Sequence, residues 1–162
     1  MPVAFTPDRE QRFQDLLGRY PTKMAALVPT LYLAQEQWGH LSLEVMKYVA
    51  ERLELPVSQV LNTATFYTLL YKRPVGRYVI QVCTNVSCYL RGCDAILNAL
   101  RDKLGIEPGE TTPDGLFTLE EVECIASCGT APALQVNLEY HENMTPEAAV
   151  ALVDELRARA GT

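Results

Sequence analysis

The 162-residue chain is 48% hydrophobic and 21% charged, enough apolar sequence for one domain or two small ones and too much for a disordered chain. Fourteen basic residues stand against twenty acidic ones for a formal net charge of -6. With no basic run, that balance argues against a protein that tracks nucleic-acid phosphates. No stretch approaches the roughly 20 apolar residues of a bilayer crossing, so no direct membrane insertion is expected. The N-terminal MPVAFTPDREQRF lacks the marks of a leader or signal peptide. The expectation is a soluble cytoplasmic protein, in which paired cysteines more often bind metal or do redox chemistry than form structural disulfides.

Residues 1–72 read as a helical bundle. Thr6-Pro7 supplies an N-cap and a proline at the first helical position, followed by acidic Asp8 and Glu10. Phe13, Leu16, Leu17 and Tyr20 form an apolar stripe that Pro21 ends. A second helix is expected from Lys23 to Trp38, kinked at Pro29 and closed by Gly39. Ser42 caps a third, with Val45, Met46, Val49 and Leu53 on its buried face. Pro56 opens a fourth that runs through Asn62 into the aromatic run TATFYTLLY. Nothing in this part offers a nucleophile–base pair.

Residues 73–162 follow a different grammar. Pro74 and Gly76 punctuate the change, and RYVIQVC is a β-branched strand. Tyr89 to Leu104 reads as one helix with apolar positions 90, 93, 97, 100 and 104. TTPDGLF is a turn, LFTLEEVEC an alternating strand and ALQVNLEY another. Thr145-Pro146-Glu147 caps a last helix with Val150, Leu152, Val153 and Leu156 inside. A strand, a crossover helix, an antiparallel strand pair and a final helix make a small α/β sandwich of thioredoxin-like type, and the whole chain is α+β.

Four of the five cysteines fall in two pairs just after strands: Cys83 and Cys88 in QVCTNVSC, Cys124 and Cys128 in EVECIASCGTAP. Loops at strand ends can be brought to one edge of a sheet. A catalytic dithiol is disfavoured, because there is no C-x-x-C, and Glu120, Glu121 and Glu123 beside Cys124 oppose a free thiolate. Structural zinc tolerates both spacings. A 2Fe–2S cluster takes the same four thiolates, two on each iron, and Gly129 after Cys128 would let the backbone approach closely. Acidic neighbours and apolar strands would push such a cluster's potential down. On spacing alone zinc and iron–sulfur stand level.

WGHLS, TATFYTLLYKRPVGRY, QVCTNVSCYLRGC, GETTPDGLFTLEEVECIASCGTAPALQVN and YHENMT break that tie. Across essentially the whole chain the sequence resembles the 24 kDa subunit family of NADH:quinone oxidoreductase (respiratory complex I). Its relatives serve NAD-dependent hydrogenases and formate dehydrogenases, where a diaphorase role is the alternative. The resemblance implies a helical bundle, a thioredoxin-like ferredoxin domain with one 2Fe–2S cluster on Cys83, Cys88, Cys124 and Cys128, and no catalytic residue. It further implies a partner subunit that carries FMN and oxidises NADH, other peripheral-arm iron–sulfur subunits, and a cytoplasmic position peripheral to the inner membrane. The chain itself has no G-x-G-x-x-G fingerprint for NADH. A non-enzymatic four-cysteine zinc assembly module is the other alternative.

Cys93 stands where the family pattern leads one to expect a small residue such as alanine. Its place in the helical stripe makes it a buried apolar position rather than a spare ligand. His40 and His141 lie far apart in sequence and read as surface or capping residues. Trp38, Phe66 and Tyr67 read as core or subunit contacts. Arg73, Arg77 and Arg91 flank the first cysteine pair as solvated charge, or as partial compensation of a cluster. Pro132 is a candidate cis-proline.

Overall fold

A computed structural model describes residues 3–161. The chain divides into two compact units, one ending at Pro74 and one beginning at Val75.

Among the described residues the first unit holds four helices, α1 (Pro7–Arg19), α2 (Leu27–Trp38), α3 (Leu43–Leu53) and α4 (Val57–Phe66). Pro7 opens α1 and its first turn carries Asp8 and Glu10 as expected, but the Thr6 side chain makes no capping bond. Ser42 does cap: its Oγ accepts from Val45 N–H at 3.2 Å. The second helix differs from its expected form. Residues 23–26 make a turn instead, with Thr22 Oγ1 accepting from Ala25 N–H. Pro29 therefore falls in the first turn of α2, where a missing N–H leaves no helical bond unmade. Gly39 closes α2 in the left-handed region, φ 75°. The fourth helix runs past Asn62 to Phe66, because Ala64 faces the core and the Thr65 hydroxyl bonds back to Leu61 O.

Phe13, Leu27, Leu31, Leu41, Val49, Leu53, Val60 and Leu70 fill the centre of this unit, with Trp38 packed at its edge. Phe66, 80% exposed, and Tyr67 are not core residues.

The second unit is a four-stranded mixed sheet with helices. In chain order it runs β1 (Tyr78–Cys83), α5 (Val86–Leu90), α6 (Cys93–Leu104), β2 (Phe117–Val122), a 3-10 turn (Cys128–Thr130), β3 (Leu134–Val136), β4 (Glu139–His141) and α7 (Pro146–Ala160). The spatial order is β2-β1-β3-β4. β1 is parallel to β2 and antiparallel to β3, so β2 and β3 are separated by β1 and do not form the expected antiparallel pair. That pair is β3 with β4. ALQVNLEY, expected as one strand, folds back on itself at Asn137 and Leu138, which both take positive φ. Asn137 holds the turn, accepting from Val79 N–H and donating to Arg77 O.

The helix expected from Tyr89 to Leu104 is broken at Gly92, φ 88°. Leu90 thereby leaves the stripe and is 78% exposed, and the buried face of α6 is Cys93, Ile96, Leu100 and Leu104. Thr145 caps α7 as expected, but only Ala149, Val153 and Leu156 are buried on it; Val150 and Leu152 are half-buried. Ile80 and Val82, on one face of β1, pack with Ile96, Leu100, Val153 and Leu156 to make this unit's core. A second apolar cluster, Cys83, Cys88, Cys93, Ile125, Ala131 and Ala133, sits at the far end of β1. The Ala131–Pro132 peptide is cis. Among the described residues no helix is long and apolar enough to cross a membrane.

Candidate metal centre

The register places the two cysteine loops side by side. Cys83 ends β1 opposite Val122, which ends β2 two residues before Cys124. Because the two strands are parallel, the chain leaves both at the same edge of the sheet. Cys83 N–H donates to Ala133 O at 3.2 Å and Thr84 N–H to Val122 O at 3.0 Å, fixing the exit of the first loop against the second. The Cys83 thiol lies 3.9 Å from Glu123 O.

The first loop is short because α5 starts at once. Asn85 caps it, its side chain accepting from Val86 N–H at 2.7 Å, and α5 delivers Cys88 back toward Cys83. Cys83 and Cys88 are both buried. Burial pushes the Cys88 thiol up; the Ala133 backbone opposes that, while the Cys83 and Cys128 sulfurs close by reinforce it. Cys124 and Cys128 are exposed.

The second loop is held from its own backbone, from β4 and from the segment after it. Ala126 has φ 61°, and that left-handed turn aims its N–H at Cys124 Sγ, 3.2 Å away. Tyr140 Oη donates to Ile125 O at 2.8 Å. Glu142 Oε1 accepts from the Ser127 and Thr130 hydroxyls, both at 2.6 Å, and these bonds hold its carboxyl below the usual carboxylate range. An added Cβ on Gly129 would meet no protein atom within 4 Å, so the backbone demand in this loop falls on Ala126. None of Ala126, Tyr140, Glu142, Ser127 and Thr130 was marked by the sequence, although EVECIASCGTAP contains three of them and YHENMT the other two.

The remaining candidates lie differently to this edge, and Cys93 packs against Cys83 and Cys88. Arg77 precedes β1 and donates to Ala160 O at 3.5 Å. Cys83 lies six residues further along an extended strand, about 20 Å at roughly 3.3 Å per residue, so Arg77 does not compensate charge there. Arg91 caps the end of α5 and is exposed. His40 and His141 are half-buried, and His141 pairs with Leu134 on the sheet. Cys93 is fully buried at the start of α6, its thiol pushed up to about 11 by burial first and Asp94 second.

What these thiols can hold follows from how they are presented. A tetrahedral zinc site needs four ligands around one centre, with sulfur at about 2.3 Å. A dinuclear cluster asks for two thiolates on each of two irons. Two loops that each offer one pair, with a backbone N–H already directed at one sulfur, fit that demand.

Comparison with known proteins agrees. Residues 13–157 match the family described as Thioredoxin-like [2Fe-2S] ferredoxin. The chain belongs to that family. As a member of this ferredoxin family it carries a 2Fe–2S cluster. It is 46% identical over 141 residues to an E-type subunit of NADH-quinone oxidoreductase from Rhizobium meliloti, covering 87% of this chain and 84% of that protein. It is 40% identical over 161 residues to the E-type subunit of NADH-quinone oxidoreductase from Mycobacterium bovis, covering 97% of this chain. The ferredoxin spans only 64% of that mycobacterial relative's length. The crystal structure of an NAD+-reducing [NiFe]-hydrogenase in the air-oxidized state superposes with a TM-score of 0.72 at 24% identity, over 82% of this chain and 23% of that one. That likeness carries the fold.

Proposed function

We propose that this ferredoxin is the electron-transfer subunit of an NADH:quinone oxidoreductase, with Cys83 and Cys88 on one iron of its cluster and Cys124 and Cys128 on the other. The observation that carries the ligand set is the parallel pairing of β1 and β2, which brings both cysteine loops to one edge of the sheet. The host complex rests on the NADH-quinone oxidoreductase relatives at 40% and 46% identity, matched along nearly all of this chain.

When bound, the cluster supplies one-electron transfer. The chain's own residues supply the rest. Cys83, Cys88, Ile125, Ala131 and Ala133 form an apolar wall that keeps water from one side of the site. The Ala126 N–H stabilises negative charge accumulating on Cys124, which favours reduction. The exposed second pair leaves an open side through which an electron can enter from a neighbouring protein. Hydride chemistry, FMN and NADH belong to the partner subunit, with further peripheral-arm iron–sulfur subunits beyond it. The complex places the chain on the cytoplasmic side, peripheral to the inner membrane. The helical unit, residues 1–72 with no chemistry of its own, is the partner-binding surface.

The deciding experiment is iron, sulfide and zinc analysis with a visible spectrum on anaerobically purified protein, then low-temperature EPR after dithionite. Two irons and two sulfides per chain, with a signal only on reduction, is the expected result. Loss of that signal in alanine variants of Cys83, Cys88, Cys124 and Cys128 but not of Cys93 would fix the ligands. One zinc and no colour would end the electron-transfer reading. Co-purifying chains separate the host complex from an NAD-dependent hydrogenase or formate dehydrogenase.

A further inference from the structure

The loop that carries Cys124 and Cys128 has almost no regular structure of its own. Residues 123–127 lie outside any helix or strand, and the short 3-10 turn at Cys128–Thr130 is the only regular element before β3. Its shape is imposed by the segment from Tyr140 to Met144. Tyr140 holds Ile125 O, and the N–H groups of Asn143 and Met144 donate to Thr130 O at 2.7 Å and Pro132 O at 2.9 Å. Between these points stands Glu142, whose single oxygen Oε1 accepts from Ser127 and Thr130 together; the two hydroxyls are themselves 2.7 Å apart. Cys128 lies in sequence between the two residues that this carboxylate holds.

With Cys124 and Cys128 read as ligands, as proposed above, we infer that Glu142 is a positioning residue for the cluster. Its acceptor oxygen gathers Ser127 and Thr130 and so fixes Cys128 in the place from which its sulfur can reach iron. Glu142 acts through Ser127 and Thr130. A ligand needs placing to within about 0.5 Å, and an irregular loop cannot do that without outside ties. Since one oxygen makes both bonds, a neutral amide oxygen at the same place retains the clasp. The role therefore belongs to the acceptor and not to the negative charge.

The test uses the full chain with its cluster loaded, and follows cluster loss to a ferrous chelator together with the EPR g-values of the reduced protein. Glu142→Gln should match the native protein in both. Glu142→Ala, and the pair Ser127→Ala with Thr130→Val, should lose iron on the order of ten-fold faster and show shifted g-values. Native-like retention and g-values in Glu142→Ala would overturn the role. So would equal damage in Glu142→Gln and Glu142→Ala with the hydroxyl pair unaffected, since that would make charge the cause. If Glu142→Ala does not fold, by circular dichroism, Thr130→Val alone carries the test: faster iron loss with shifted g-values supports the clasp, and native-like behaviour in both overturns it. A Cys128→Ala control keeps the readings apart: an unchanged native signal there would remove Cys128 as a ligand, whatever Glu142 does.

Discussion

Glu10 and Arg52 form a tightly tied ion pair in the helical unit. The Arg52 guanidinium bonds to both carboxylate oxygens of Glu10 and to Tyr48 Oη, and lies 4.6 Å from the centroid of the Phe13 ring. The Arg52 bond brings the Glu10 pKa down from 4.5 to about 2. The folded state therefore favours the carboxylate. The resulting stability is present in full above pH 4.5 and is lost as pH falls through about 2. In chemical denaturation of native protein against Glu10→Gln, the gap between the two should be constant near neutrality and should close between those values. A gap independent of pH would refute the coupling. Cys93 makes the opposite kind of prediction. It is fully buried beside the site yet belongs to α6. Cys93→Ala should keep two irons per chain by metal analysis while costing about 1 kcal/mol of stability for the small cavity.

At the scale of elements, two backbone positions decide how the sheet is assembled. A Cβ on Gly76 would lie 2.6 Å from Phe117 C and 2.8 Å from Phe117 N, where β2 begins. Gly76→Ala must therefore push β1 away from β2, and the strand ends that carry the cysteines move with it. A loss of about 1–3 kcal/mol in unfolding free energy is expected. Leu138 is the reverse case. It is exposed and held at φ 77° in the β3–β4 turn. Relief of about 1–2 kcal/mol for a left-handed L-residue exceeds glycine's extra cost of about 0.5–1 kcal/mol. Leu138→Gly should thus raise stability by roughly 0.5–1 kcal/mol, read from the denaturation midpoint. These positions also mark what sequence shows and hides. Pro7, Gly39, Ser42 and Thr145 were legible because each signals within its own turn, and the cysteine pairs because strand ends bracket them. The fold-back inside ALQVNLEY was hidden because its turn is Asn-Leu, without the glycine that marks such turns. The break at Gly92 was hidden because Leu90 kept helical spacing with Cys93. The clasp on the second cysteine loop joins residues 12 and 15 apart in sequence, and no local pattern encodes such a pair.

For the whole molecule, the consequence of two separate cores is that cluster chemistry should be felt by only one of them. The core of α1 to α4 contains no residue beyond Leu70, and the clusters around β1 contain none before Ile80. A group that binds only the folded state stabilises whatever must be folded to bind it. Here that is the edge formed by residues 83–92 and 123–132, with its ties to Tyr140 and Glu142. Hydrogen exchange of loaded and cluster-free protein should therefore show protection falling across those segments and at the ends of β1 and β2. Amides in α1 to α4 should exchange at the same rate in both forms. The buried pair and the exposed pair should also differ. Cys83 and Cys88 are embedded in an apolar cluster, so the first loop should lose less protection than the irregular second loop. If protection fell equally in α1 to α4, the two units would be one cooperative body, and a chain beginning at Val75 could not keep the cluster. If the first loop loosened more than the second, the apolar wall would owe its order to the cluster, and the ties through Tyr140 and Glu142 would be the stronger support.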